Sequence, residues 1–225
     1  MPTLARALSL LTIIAAPTLV APTLAEAQEA GTSWVPRLYV DGQLGLFGDA
    51  RFSSGGNEAS DALEPSGGGA IGIDAPVLPI FSLGAEVSFL VWNTDGGDDY
   101  EIDPSGLLAV SFVPRLRIPF GDGDAGTTHG AFYLAALVGP TISFPSDDIG
   151  DGLASIGGSV DTGFGLHGGA LLGMQLFFTR TVGIDLAAGY QHHVVWHEVS
   201  VLGSSGEVRL DLGQLIIRAG IAIAF

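Results

Sequence analysis

Three groups of residues in this sequence could do chemistry. The first is the run His192-His193-Val194-Val195-Trp196-His197. On a helix, His193 and His197 would share one face at a zinc-site spacing. On a strand the same separation is about 13 Å, too far to share an ion. The second group comprises acids and bases spread along the chain: Asp41, Glu86 and Asp185 against Arg115, Arg117 and Arg218. Brought together away from water, these could only pair. The third is a set of acid-rich stretches, Asp95, Asp98, Asp99, Glu101 and Asp103 in one and Asp147, Asp148 and Asp151 in another. Neither follows the EF-hand order of ligands. They could gather Ca²⁺ or Mg²⁺ loosely through carboxylate oxygens, but solubility of exposed loops accounts for them more simply.

Composition removes other chemistry. The chain has no cysteine, so neither disulfides nor thiol catalysis are open to it. Net charge is −16, and all eight basic residues are arginine. Nucleic-acid binding needs a basic patch that displaces counterions from phosphates, and none is present. No cofactor is expected.

Which reading of the histidines and acids holds depends on the elements that carry them. The 34 glycines are interleaved with Val, Ile, Leu and Phe, so the chain can bury apolar surface. A helical membrane span needs about 20 apolar residues in a row. Gly130 to Phe144 and Leu166 to Phe178 come nearest, yet Pro140 interrupts one and Gly168, Gly169 and Gly173 the other. At the N-terminus, Arg6, the apolar run Ala7 to Val20 and the triplet Ala25-Glu26-Ala27 read as a secretory signal peptide over 1–27, cleaved before Gln28. Residues 28–225 then form the mature domain.

That domain alternates with a period of two, as a strand between lipid and a polar lumen must. In Leu107 to Phe120, Leu108, Val110, Phe112, Leu116 and Ile118 oppose Ser111, Arg115 and Arg117. In Gly130 to Phe144, Phe132, Leu134 and Val138 oppose Tyr133, Thr141 and Ser143. Thr162 to Phe178 sets Phe164, Leu166, Leu172 and Met174 against His167 and Gln175; Val182 to Trp196 sets Ile184, Leu186 and Tyr190 against Asp185, Gln191 and His193. Weaker alternation marks Arg37 to Phe47, Phe81 to Val91 and the C-terminal run ending at Phe225. Gly68 to Ala75 offers only Ile71 and Ile73. The links 76–80, 121–129 and 179–181 are short, whereas 48–67, 93–106, 145–161 and 198–213 are long. The Gly-, Ser- and Asn-rich 48–67 reads as a mobile loop. Phe81, Phe120, Phe132, Phe178 and Phe225 fall on the short-turn side, and Phe47, Phe144, Phe164 and Trp196 near the long loops. Such belts form where rings settle at headgroup level. The expected fold is all-β: a closed antiparallel transmembrane β-barrel of about eight strands in an up-and-down meander.

On these residues the mature chain resembles the small outer-membrane barrels, namely the transmembrane domain of OmpA and the OmpX and OmpW groups. The run Gln214-Leu215-Ile216-Ile217-Arg218-Ala219-Gly220-Ile221-Ala222-Ile223-Ala224-Phe225 is similar to their C-terminal insertion signal, which ends in Phe. The resemblance implies handling by the barrel-assembly machinery, outer-membrane lipid and lipopolysaccharide as surroundings, and both termini periplasmic. A monomer is expected. The peptidoglycan-binding domain that follows many such barrels is not expected after Phe225. Lipid A deacylase barrels place a His and a Ser two residues apart, but here Val199 stands at that distance from His197, with Ser200 one further on. No enzyme is expected.

Strand parity sends Asp41, Glu86, Arg115, Arg117, Asp185 and Arg218 into a lumen only wide enough for side chains. A salt-bridge network in its periplasmic half is therefore expected. A short turn at 179–181 sets His167 across from His193, a pair that could hydrogen-bond in the lumen, bind metal or sense pH. The function expected is a structural or surface-interaction barrel with a plugged lumen and acidic outer loops. A narrow channel for ions or small hydrophobic solutes is the alternative, and a lipid-modifying enzyme the next.

Overall fold

The computed structural model describes residues 35–94, 104–121 and 128–225. Ten strands and one helix follow in order: β1 (Arg37–Ser54), β2 (Asn57–Ala62), β3 (Ser66–Leu78), β4 (Phe81–Trp92), β5 (Ser105–Phe120), β6 (His129–Phe144), α1 (Asp147–Ser155), β7 (Gly158–Val160), β8 (Gly163–Phe177), β9 (Val182–Val201) and β10 (Ser204–Ala224). Eight of them close into an antiparallel ring, β1-β3-β4-β5-β6-β8-β9-β10, and β10 pairs back onto β1 from Arg37↔Ala224 to Ser53↔Arg209. Closure leaves no ladder edge within the ring, as a bilayer requires of a spanning sheet. The signal-peptide segment and the loop acids Asp95, Asp98, Asp99, Glu101 and Asp103 lie outside the described residues.

Alternation along each strand determines what faces where, and the result inverts a soluble protein. Leu134, Val138, Leu166 and Leu172 point outward with half or more of their surface exposed, whereas Arg115, Glu86 and Asp185 are buried. In water such a surface would aggregate; in hydrocarbon it is the solvated face. The outward aromatics bracket this band. Phe164 stands directly across from Trp196 near the long connections, and Phe132 packs 5.0 Å from Phe120 near the short ones.

Three strands run well past the bounds read from the sequence. The 48–67 segment is no mobile loop. β1 continues to Ser54, turns through Gly55 and Gly56 at φ +57° and +87°, and returns as β2. Positive φ at both central residues gives the two-residue turn whose twist matches a hairpin. The 198–213 segment likewise extends the β9–β10 ladder to a tip at Leu202 and Gly203, with φ +52° and +83°. Between Gly45 and Phe47 the β1 register shifts, so Leu46 and Phe47 both face outward. Beyond that bulge the parity flips, which turns Ala50 inward. The 145–161 connection holds α1 and β7. Ser146 caps α1 by accepting a hydrogen bond from the Ile149 amide, and Asp147 and Asp148 in the first turn complement the helix dipole.

Candidate functional site

The candidate site is the lumen, which is built in three layers. Toward the short turns, the charged layer centres on Arg115 of β5. Its guanidinium lies between two rings, 4.2 Å from the centroid of Tyr39 and 4.8 Å from that of Tyr133. Flat cations stack on aromatic faces, more strongly where water is excluded. Glycine makes room for the rings: a Cβ on Gly72 would collide with the Tyr39 ring, and one on Gly173 with that of Tyr133. Arg115 and Arg117 both reach Asp74, at 3.4 and 3.8 Å. Arg218 pairs with Glu86 at 2.8 Å, and Glu86 also accepts from the Tyr39 hydroxyl at 3.0 Å. Asp185 accepts from the Tyr133 hydroxyl at 2.5 Å and from Gln175 at 2.7 Å. Each carboxylate is thereby held by donors that partly offset its loss of water.

The pairing differs in part from the one expected. All six expected charges face the lumen, but only Arg218 and Glu86 join as an ion pair. Arg115 and Arg117 turn to Asp74, which sequence reasoning passed over. Asp185 is held by Tyr and Gln rather than by arginine, and Asp41 makes no ion pair among the described residues. A signal for Asp74 existed: with Ile71 and Ile73 outward, Asp74 must point in. Arg37, also inward, lies with its guanidinium 5.5 Å from the Phe177 ring centroid.

Above the charged layer lies a neutral polar one. Gln43 donates to Gln191 at 3.3 Å, and the Ser66 hydroxyl donates to Gln214 at 2.8 Å. His167 and His193 stand directly across from each other on β8 and β9, their rings stacked with centroids 5.2 Å apart. His167 Nε2 lies 2.9 Å from the Ser111 hydroxyl and its Nδ1 3.2 Å from the Gly139 carbonyl, while His193 Nδ1 lies 3.3 Å from Thr141 Oγ1. Among the described residues no three His, Cys, Asp or Glu side chains gather as a metal site. His197, the zinc-spacing partner of His193 on a helix, sits at the other end of a four-residue step on β9, with its Nδ1 3.0 Å from the Asp161 carbonyl.

The third layer, nearest the long connections, is apolar. Ala50, Leu63, Leu90, Trp92, Leu107, Val195, Leu210 and Leu212 pack into one cluster, with Phe52 against it. Four of these, Ala50 and Leu63 in 48–67 and Leu210 and Leu212 in 198–213, fall in segments read as loops, so their inward role was hidden. The inward side chains of the charged and apolar layers are buried alike, Arg115 keeping 2 % of its surface and Leu212 none.

No protein-family model matches this chain, and no curated protein sequence matches it. Among solved structures, the outer membrane protein OprG from Pseudomonas aeruginosa superposes with a TM-score of 0.62 at 12 % identity, over 87 % of this chain and 98 % of that one. Neisserial surface protein A covers 84 % of this chain and 97 % of its own at 15 % identity, with a TM-score of 0.36. Ail, the attachment invasion locus protein of Yersinia pestis, covers 84 % and 99 % at 13 % identity, with a TM-score of 0.35. The closed ring, its outward apolar band and the OprG superposition agree: the chain has the fold of the small eight-stranded outer-membrane β-barrels.

Proposed function

We propose that this chain is exported, loses residues 1–27, and serves as a sealed outer-membrane barrel with a structural or surface-interaction role. Its lumen acts as a plug, and both termini face the periplasm. The observation that carries this reading is the burial of the lumen's own charges. A conducting path of ions would leave Arg115, Glu86 and Arg218 wet, whereas each keeps 4 % of its surface or less. The first strand begins and the last strand ends at the short-turn end, where Arg37 pairs with Ala224. Short turns inside and tall connections outside are the layout of such barrels, which supports the assigned orientation. The absence of catalysis is part of the proposal. It is supported by His197 facing inward while Ser200, whose hydroxyl lies 2.9 Å from that of Ser159, is partly exposed.

The test is single-channel recording of the refolded barrel in a planar bilayer, after a heat-modifiability gel establishes folding. A silent bilayer is expected. Stable openings that change when Arg115 or Arg218 is neutralised would overturn the plug and promote a narrow channel.

A further inference from the structure

The chain's arginines are unevenly placed. Four of the eight line the lumen, Arg180 sits in the β8–β9 turn, and Arg6 lies in the N-terminal segment. The remaining two, Arg51 and Arg209, lie on the outer face near the long connections, on neighbouring strands of a protein whose net charge is −16. Arg51 stands directly across the β1–β10 ladder from Asp211, so their Cβ atoms are about 5 Å apart. Arg209 reaches the same carboxylate at 2.7 Å, and His192 of β9 lies 3.5 Å from it. One acid thus sits among two guanidinium groups and an imidazole. Arg51 also pairs with Asp49 at 2.9 Å through Nε. Arg51 and Arg209 keep 59 % and 48 % of their side-chain surface exposed.

The level of this cluster matters as much as its charge. Arg209 pairs across the ladder with Trp196, and Phe47 and Tyr190 both pair with Leu215 two steps below Gly213. The cationic groups therefore lie within the outer aromatic belt, at headgroup depth. The surface is also shaped. A Cβ on Gly213 would collide with the Tyr190 hydroxyl, so the bare backbone lets that hydroxyl and the His192 ring lie close over β10. Toward the loops, Glu198 and Glu207 face each other across the ladder and repel an anion placed any higher.

We propose that Arg51, Arg209 and His192 form an external site for the phosphorylated headgroup of an outer-leaflet glycolipid. Guanidinium forks take phosphate oxygens through charge-assisted hydrogen bonds, while Tyr190, Trp196 and Phe47 lie against the lipid beneath. The inference rests on the outer-membrane reading above and names a partner for its outer face. Asp211 holds the guanidinium in place and competes with the phosphate for it.

The experiment uses the folded mature barrel in neutral detergent, titrated with bis-phosphorylated lipid A or with its dephosphorylated form and read by native mass spectrometry. The phosphorylated lipid is expected to bind at least about tenfold more tightly, and Arg51→Gln/Arg209→Gln to remove that preference. Asp211→Asn is expected to tighten binding several-fold, a direction that misfolding does not mimic. Equal binding of the two lipids, or an unchanged preference in the double variant, overturns the site. Displacement of the lipid by millimolar inorganic phosphate would show a free-anion site instead, and overturn the lipid assignment. Insertion into phosphatidylcholine vesicles separates the two readings. A chain that fails to insert sinks the barrel proposal, whereas one that inserts without discriminating sinks only this site.

Discussion

Two layers of the lumen are filled by opposite chemistry. Toward the short turns, beyond the apolar cluster of Phe177, Ala222 and Ala224 at the very end, Arg115 lies between two tyrosines and Arg218 against Glu86. At the long-loop end Leu, Val, Ala and Trp pack as in a soluble core. Charge pairing is directional and fails abruptly when one member is removed, because the other is left buried and uncompensated. Apolar packing degrades in proportion to the volume lost. The difference predicts a division of labour, with the charged layer specifying which strands meet and the apolar layer sealing the lumen.

Three substitutions would break or sharpen that contrast. Arg218→Glu has the largest expected effect, since it sets two carboxylates face to face at a site with 4 % exposure. A loss of about 5 kcal/mol, or failure to fold, is expected in heat-modifiability and thermal denaturation. An unchanged midpoint would deny the charged layer its specifying role. Trp92→Ala in the apolar layer comes next. It is expected to cost about 3–5 kcal/mol by the same assay while leaving a folded, inserted barrel. If the upper layer is the seal, this variant also admits ions in planar bilayers where Arg115 variants leak less. The smallest effect is expected at the boundary. His193→Phe keeps the ring stacked on His167 and gives up one 3.3 Å contact to Thr141, so the change stays within about 1 kcal/mol. A larger loss would show that the histidine pair couples the layers.

Much of this was legible in the sequence, and what escaped did so for identifiable reasons. Period two in 107–120, 130–144, 162–178 and 182–196 was enough to place Arg115, Arg117, His167, Asp185 and His193 inside. Those four segments also fixed the all-β barrel and its short and long connections. Asp74 was missed because β3 is mostly glycine and small residues on the relevant stretch, so its alternation is faint. Tyr39 and Tyr133 were seen to face inward, but only the structure shows the guanidinium between them, and Gly72 and Gly173 as the space their rings require. The tall hairpins were misread as loops. Their glycines, serines and acids face water on one side, and a strand outside the membrane no longer needs an apolar outer face. Arg51 and Arg209 at the outer belt were hidden by that same misreading, because they lie on stretches of ladder whose residues do not alternate as membrane strands do.

The extra residue at the β1 bulge has a consequence for any effort to redesign this molecule. A pleated sheet has two faces as a message has reading frames, and the bulge is a single-letter insertion after which the message is read in the other frame. Deleting Leu46 would remove the inserted letter and leave every later one facing as it does now, Phe47, Asp49 and Arg51 outside and Ala50 inside. Pairing β1 straight through with all its letters kept would instead spell Phe47, Asp49 and Arg51 into the lumen, and Ala50 and Phe52 onto the outside.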